Sequence, residues 1–400
     1  MSRIKWTILA IFFGISLSSR AVDLNSDEIV LGMSTALSGP AASLGQDMRR
    51  GVLVGLERAN RAGGVQGRKL RLIALDDGYE PSRVASNMRQ LIEKEKVLAV
   101  VGNVGTPTAI VAIPIALEQK TLFFAPFSGA GVLRNNPPDH YVINFRASYA
   151  EEAGAMIDAL IGELKLKPEE IALFTQRDGY GDAGFNASIA AMKRHGLEDE
   201  KSILHMRYER NTLAVENAVA SLVLADRPPR AIVMVGAYAP CAKFIKLCLG
   251  ADLRPLFLNV SFVGSNALAE ALGKTEATVI VMQVVPPLLN VELPIVRDYI
   301  ADLSAVDSTA TPGFGDLEGY IDARIFTAAL EKNKDAPTRE SIVEALERLG
   351  EFDLGLGEPL RLGPKEHQAC HRVWPTILKN GAFSSFHWKD TAGLLKDSAP

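Results

Sequence analysis

The chain has 400 residues, 43 basic and 47 acidic, for a formal charge of −4; 48% are hydrophobic and 22% charged. These proportions exclude a disordered, collagen-like or coiled-coil chain, and no basic block marks a nucleic-acid footprint. At ~100–200 residues per domain the length predicts two or three compact units, and three cysteines cannot frame a disulfide scaffold.

The N-terminus predicts export. Arg3 and Lys5 precede an uncharged, mostly apolar run, Trp6 to Ser18, and then Ser19-Arg20-Ala21. This is the layout of a secretory signal peptide, residues 1–21, cleaved after Ala21. The run of 13 residues is short of the ~20 that span a bilayer. An uncleaved anchor or a core helix is the alternative reading. No cysteine adjoins the cleavage site to carry a lipid anchor. The mature chain would hold 40 basic and 47 acidic residues, a charge of −7. It is expected in the periplasm of a Gram-negative cell.

From Glu28 the chain alternates strands and helices. Strands are expected at Glu28–Met33, Lys69–Leu75, Val97–Val101 and Leu122–Ala125, with helices at Gly45–Arg61, Pro81–Lys94 and Thr106–Gln119. Strands of continuous apolar character between amphipathic helices indicate a parallel sheet covered on both faces. After a strand at Tyr141–Phe145 the rhythm restarts. Strands follow at Glu170–Thr175, Ile203–Tyr208, Ala231–Val235, Leu256–Val260 and Thr278–Val281, with helices between them. The last 115 residues hold three more helices, Val296–Val306, Leu317–Glu331 and Thr338–Leu349, then short β segments. Thr338 is the expected N-cap of the third, with Ser341 in place of the usual Glu or Gln of a capping box, so only a partial cap is expected. The fold class is therefore α/β: two doubly wound, Rossmann-like lobes, joined by a hinge that the chain crosses several times. Lobe 1 takes 22–146 plus 286–350, and lobe 2 takes 147–285 plus 351–400. Asn144-Phe145-Arg146 and Pro286-Pro287 are the hinge candidates.

No catalytic constellation assembles. The G-x-S-x-G elbow and the phosphate-binding G-x-x-x-x-G-K-[ST] loop are missing. His367, Cys370 and His371 form H-x-x-C-H without a second ligand pair, so a solvated loop is favoured over a metal site. Asp76-Asp77 reads as a turn cap before Pro81. Cys241 and Cys248 lie two helical turns apart, ~10 Å, too far to bridge. No metal or cofactor is expected.

In open parallel sheets, ligands bind beyond the carboxyl ends of the strands. Five loops there carry hydroxyls, aromatics or amides: 102–108 with Asn103 and Thr106, 125–130 with Phe127, Ser128 and Gly129, 176–181 with Gln176 and Tyr180, 236–238 with Tyr238, and 261–262 with Ser261 and Phe262. The free N–H groups opening the helix at Thr106 suit an anion.

Motifs over nearly the whole mature chain now show a likeness: Gly32-Met33, Leu37-Ser38-Gly39-Pro40 to Gly45, Ala59-Asn60, Gly63-Gly64-Val65-Gln66-Gly67-Arg68-Lys69-Leu70, Asp76-Asp77-Gly78, Val101-Gly102 with Thr106, Pro126 with Ser128, Tyr180-Gly181, and Gly236-Ala237-Tyr238. The sequence resembles the type I periplasmic substrate-binding proteins of ABC transporters, the leucine/isoleucine/valine-binding family. The resemblance implies two lobes that close on a small molecule without catalysis and present it to an ABC permease in the inner membrane, as a monomer. Thr106 and Ser128 then fall where a ligand carboxylate is held, and Tyr180 and Tyr238 on second-lobe aromatic positions. Leu44 replaces a tyrosine. Tyr79 and Gly105 replace both halves of a disulfide. Ser261 stands where the family carries the acid that pairs with an α-ammonium, so an α-amino acid is not the expected ligand unless Asp178, Asp182 or Glu318 substitutes. The expected ligand is a carboxylate-bearing or partly apolar small molecule. A periplasmic sensor subunit feeding a signalling receptor is the alternative, and an enzyme the third.

Overall fold

A computed structural model describes residues 27–333 and 335–393; the expected signal segment lies outside them. The first lobe opens with β1 (Glu28–Thr35), α1 (Ala42–Arg61), β2 (Lys69–Asp76), α2 (Pro81–Arg89), β3 (Ala99–Val101), α3 (Thr106–Glu118), β4 (Leu122–Phe124) and β5 (Val142–Ile143). Its five strands run parallel in the order β2-β1-β3-β4-β5. The expected strand 141–145 pairs only over Val142–Ile143. Beyond it the Asn144 amide turns to the His367 carbonyl at 2.7 Å, and the chain leaves the sheet as the first crossing.

The second lobe follows: α4 (Tyr149–Gly162), β6 (Ile171–Gln176), α5 (Gly179–Arg194), β7 (His205–Tyr208), α6 (Glu216–Val223), β8 (Ala231–Val235), α7 (Tyr238–Gly250), β9 (Leu256–Val260), α8 (Ser265–Leu272) and β10 (Val279–Gln283). β6, β8, β9 and β10 are buried at every residue, as strands covered on both faces must be. The two-lobed α/β class read from the sequence is the one observed. Helix α5 begins at Gly179, inside the expected loop, because the Asp178 carboxylate accepts from Tyr180 N at 3.0 Å and caps it.

The chain then crosses back. α9 (Pro294–Val306), α10 (Phe314–Lys332) and α11 (Arg339–Glu347) pack on the first lobe. Glycines set how closely α10 approaches α1: a Cβ on Gly51 would lie 1.9 Å from the Asp316 carbonyl oxygen, and one on Gly319 2.4 Å from that of Met48. β11 (Gly350–Phe352) and β12 (Leu360–Leu362) pair as a separate antiparallel ribbon. The sequence assigned everything after 350 to the second lobe. Within that segment Gly355 and Gly357 pack against Leu293 and Pro294 at the start of α9. The third crossing runs beside the first, with Ala369 N to Asn144 O at 2.9 Å and Cys370 N to Phe145 O at 2.8 Å. Only β13 (Trp374–Lys379) and β14 (Ala382–Ser385) join the second sheet, whose order is β14-β13-β10-β9-β8-β6-β7. β13 enters antiparallel to β10.

Ser341 completes the cap that its residue type left in doubt. Thr338 Oγ1 accepts from Ser341 N at 3.0 Å, and Ser341 Oγ accepts from Thr338 N at 2.9 Å. Thr338→Ala is expected to cost about 1 kcal/mol in urea unfolding, the usual value of such a cap.

Candidate functional site

The carboxyl ends of the two sheets face each other, and the loops beyond them meet. β3 ends into Gly102–Gly105 and β4 into Ala125–Ala130. From the other lobe come the Gln176 loop, the Gly236–Ala237 loop and the short 3-10 turn Ser261–Val263 after β9. Asp76 and Asp77 at the end of β2 shape the first lobe's edge. Asp76 accepts from Leu37 N at 2.8 Å and Gly78 N at 2.9 Å; Asp77 accepts from the Ser34 hydroxyl and from Tyr79 N, each at 2.8 Å. The turn-cap reading of this pair therefore matches its hydrogen bonds. These bonds hold Tyr79 at φ +60°.

At the centre stands the Phe262 ring, fully buried. Its centroid lies 5.9 Å from Tyr79 and 5.4 Å from Phe127 of the first lobe, and 4.6 Å from Tyr180 of its own. Tyr79 packs against Gly105, where a Cβ would come within 2.1 Å of the Tyr79 ring. The two positions at which the sequence departs from a disulfide are thus packed on each other. Beside the rings, the Thr106 and Ser128 hydroxyls bond to one another at 2.7 Å, both buried. The Tyr149 hydroxyl faces Ser128 and Arg146 and makes no hydrogen bond of ordinary geometry among the described residues. Burial pushes its pKa up to about 12.

The other expected site residues divide. Gln176 bridges the lobes, donating to Tyr79 OH at 3.2 Å and to Asp178 at 2.7 Å while accepting from Tyr208 OH at 3.0 Å. Gly129 leaves room for Tyr149, whose backbone N would be 2.6 Å from a Cβ there. Tyr238 opens α7 and lies against Gly264. Asn103 accepts from Ser34 N at 3.2 Å and donates to Met88 Sδ, which ties it to the first sheet. The Ser261 hydroxyl is already shared between Arg146 and Glu152.

Arg146 is the residue that sequence reading underrated, having marked it only as hinge. It is 1% exposed and sits on the first crossing. Its Nε lies 3.1 Å from Glu318 of α10, it donates to Ser261, and its guanidinium covers the Phe127 ring at 4.4 Å. Glu152 of α4 accepts from Ser261 N at 2.6 Å. Burial raises the Glu152 carboxyl to about 7, against the lowering effect of Arg146. Burial moves Glu318 and Asp322 upward as well. Asp322, one turn along α10 from Glu318, has neither oxygen hydrogen-bonded among the described residues. Glu152 had a readable signal. Ser148 and Glu151 form a capping box at the start of α4, and the residue after Glu151 faces inward.

A remaining pocket lies next to this cluster, between the lobes. Leu44, Asp47, Phe127, Ser261, Phe314 and Glu318 are among its lining residues. Of the three acids named as substitutes for Ser261, Glu318 alone lines it. Asp178 caps α5 and pairs with Arg210 at 3.2 Å, and Asp182 is exposed and pairs with Arg207. His367, Cys370 and His371 do not converge: His367 contacts the Val142 carbonyl at 2.9 Å, His371 contacts Glu151 at 2.6 Å, and the Cys370 thiol is buried. Cys241 and Cys248 are free and buried too.

A family model described as periplasmic binding protein matches residues 28–382. A solved structure of a possible leucine/isoleucine/valine-binding protein from Rhodopirellula baltica is 47% identical, with a TM-score of 0.88, covering 92% of this chain and 99% of that one. A Leu/Ile/Val-binding protein of Rhizobium johnstonii, BraC3, is 21% identical over 336 residues, 83% of this chain and 86% of that protein. An amino acid binding protein of Pseudomonas aeruginosa matches over 174 residues at 25% identity, 43% of this chain and 45% of that protein. The chain thus spans about half the length of several curated relatives it matches. On the family match across both lobes, the chain belongs to the periplasmic binding proteins, a substrate-binding, transport-related family that is not enzymatic.

Proposed function

We propose that this protein is the periplasmic substrate-binding component of an ABC importer. It captures a small, carboxylate-bearing or partly apolar molecule between its lobes and delivers it to an inner-membrane permease. One observation carries the reading. Buried side chains from both lobes, Tyr79 and Phe127 on one and Tyr180 and Phe262 on the other, meet at the carboxyl ends of two sheets joined by three chain crossings. That geometry lets one hinge motion expose or enclose the cleft. The names of relatives, amino acid and Leu/Ile/Val binders, support a ligand of amino-acid size. Thr106 and Ser128 are the carboxylate donors in this reading. Glu318, which lines the adjoining pocket together with Asp47, is the acid that would face an ammonium, should the ligand carry one.

The test is a thermal-shift screen of amino acids, organic acids and aromatic acids, followed by calorimetry. A ligand at a hundredfold excess over its Kd stabilises the fold by about 2.7 kcal/mol. Thr106→Ala and Tyr180→Ala are each expected to weaken the best ligand about tenfold, roughly the 1.4 kcal/mol of one charge-assisted hydrogen bond or ring contact. Unchanged affinity in both variants would remove the cleft from consideration.

A further inference from the structure

We infer that the cleft contains a subsite for a planar six-membered ring, which Phe262 fills from within, and that the ligand is an aromatic carboxylate. The inference rests on the binding-protein reading and names the class of molecule bound. A phenyl ring is already seated there. Phe262 is enclosed by three aromatic rings, at 4.6, 5.4 and 5.9 Å between centroids and tilted by 54°, 38° and 40°. Those are the separations and tilts at which ring pairs attract beyond their buried area. Two of the enclosing rings, Tyr79 and Phe127, belong to the first lobe and the third, Tyr180, to the second. Hinge opening therefore draws Phe262 out of the space between Tyr79 and Phe127, and a ring of the same size can enter.

The polar groups beside the cage fix the rest of the ligand. Tyr79 packs on Gly105, the neighbour of Thr106, and Phe127 is the neighbour of Ser128. The hydroxyl pair of Thr106 and Ser128 thus lies between the two loops that carry the cage. In this structure these hydroxyls bond each other, and the buried Tyr149 hydroxyl faces Ser128 without a hydrogen bond of ordinary geometry among the described residues. Three hydroxyls can turn their protons to one carboxylate attached to the ring. The adjoining pocket borders Ser261 and Gly264, which flank Phe262, and Gly264 has φ +80°.

The experiment compares 3-phenylpropionate, hexanoate and leucine by calorimetry on the wild-type protein and on Phe262→Ala. Phe262→Leu serves as a second variant that retains bulk. The expected result is that 3-phenylpropionate binds the wild type at least about tenfold tighter than hexanoate or leucine. In Phe262→Ala its affinity rises further while that of hexanoate stays constant, because the competing ring is gone. Phe262→Leu gives the same order with a smaller gain. Leucine or hexanoate binding as tightly as the ring acid overturns the aromatic assignment and leaves the binding-protein reading standing. An equal change for ring and chain acids in both variants also overturns it, since Phe262 would then be only interlobe packing. If none of the three acids binds any of the proteins, the carboxylate reading of the cleft falls together with this one.

Discussion

Replacing Arg146 with methionine is expected to lower the free energy of unfolding by about 3–5 kcal/mol near neutral pH, the cost of removing one partner from a buried ion pair. The packing of the long side chain over Phe127 is largely kept by methionine, so the loss reports the charge. Glu318 at 3.1 Å, and Glu152 held through Ser261, would remain buried without their direct guanidinium partner, with only the more distant Arg134 left as a cation nearby. The pH dependence has a definite sign. A carboxyl whose pKa is higher folded than unfolded binds its proton more tightly in the folded state. Its stabilising effect is complete below the ordinary value and is lost as pH rises through the folded value. Glu152 moves from 4.5 to about 7, so stability should fall across that window in the wild-type protein. The fall should be steeper in Arg146→Met, and its deficit should shrink toward about pH 5, where the carboxyls can protonate. Urea unfolding of both proteins at several pH values checks this. A deficit that is small at all pH values would mean that the carboxyls do not need the guanidinium.

The second large effect is at Gly105. Gly105→Ala is expected to cost on the order of 3 kcal/mol, from two sources. Its φ of +101° is outside the range that an L residue adopts easily. A Cβ there would also lie 2.1 Å from the Tyr79 ring, which must then move. Tyr79 cannot move freely, because Gln176 holds its hydroxyl and Phe262 packs on its face. Gly67→Ala is the control: it shares a positive φ of +77° but meets nothing within 4 Å. Its cost should be about 1 kcal/mol, strain alone. The difference between the two variants measures the Tyr79 contact, and the Gly105 variant should lose ligand affinity while the Gly67 variant keeps it. Equal stability losses would show that the ring accommodates the methyl group.

Much of this molecule is readable in one dimension. Apolar runs such as Ala231–Val235 and Leu256–Val260 could be stable only between two layers of helix, so two parallel sheets followed from composition and rhythm. Residues after those strands had to lie at the sheets' carboxyl ends, which is why the Thr106, Ser128, Gln176 and Tyr180 loops could be picked out before any coordinates. Local hydrogen bonding was legible as well, at Thr338 and at Asp76-Asp77, because caps and turns depend on neighbours within a few residues.

Other features depended on what distant segments bring together. Whether β11 and β12 belong to a sheet could not be read from short β-type segments, because pairing is a choice among partners; in the structure the two pair with each other as a separate ribbon. Nor could the sequence say that Asn103 turns to Ser34, 69 residues away, rather than to the cleft. The sequence marked Arg146 only as part of a hinge, and Glu152 not at all. They are buried because Glu318, from a helix more than 160 residues later, arrives on the same guanidinium. The sequence alone determined the two lobes and where their loops must gather. The tertiary structure decided which side chains meet there, because burial, charge pairing and the seating of the Phe262 ring between the lobes are set by contacts across three chain crossings.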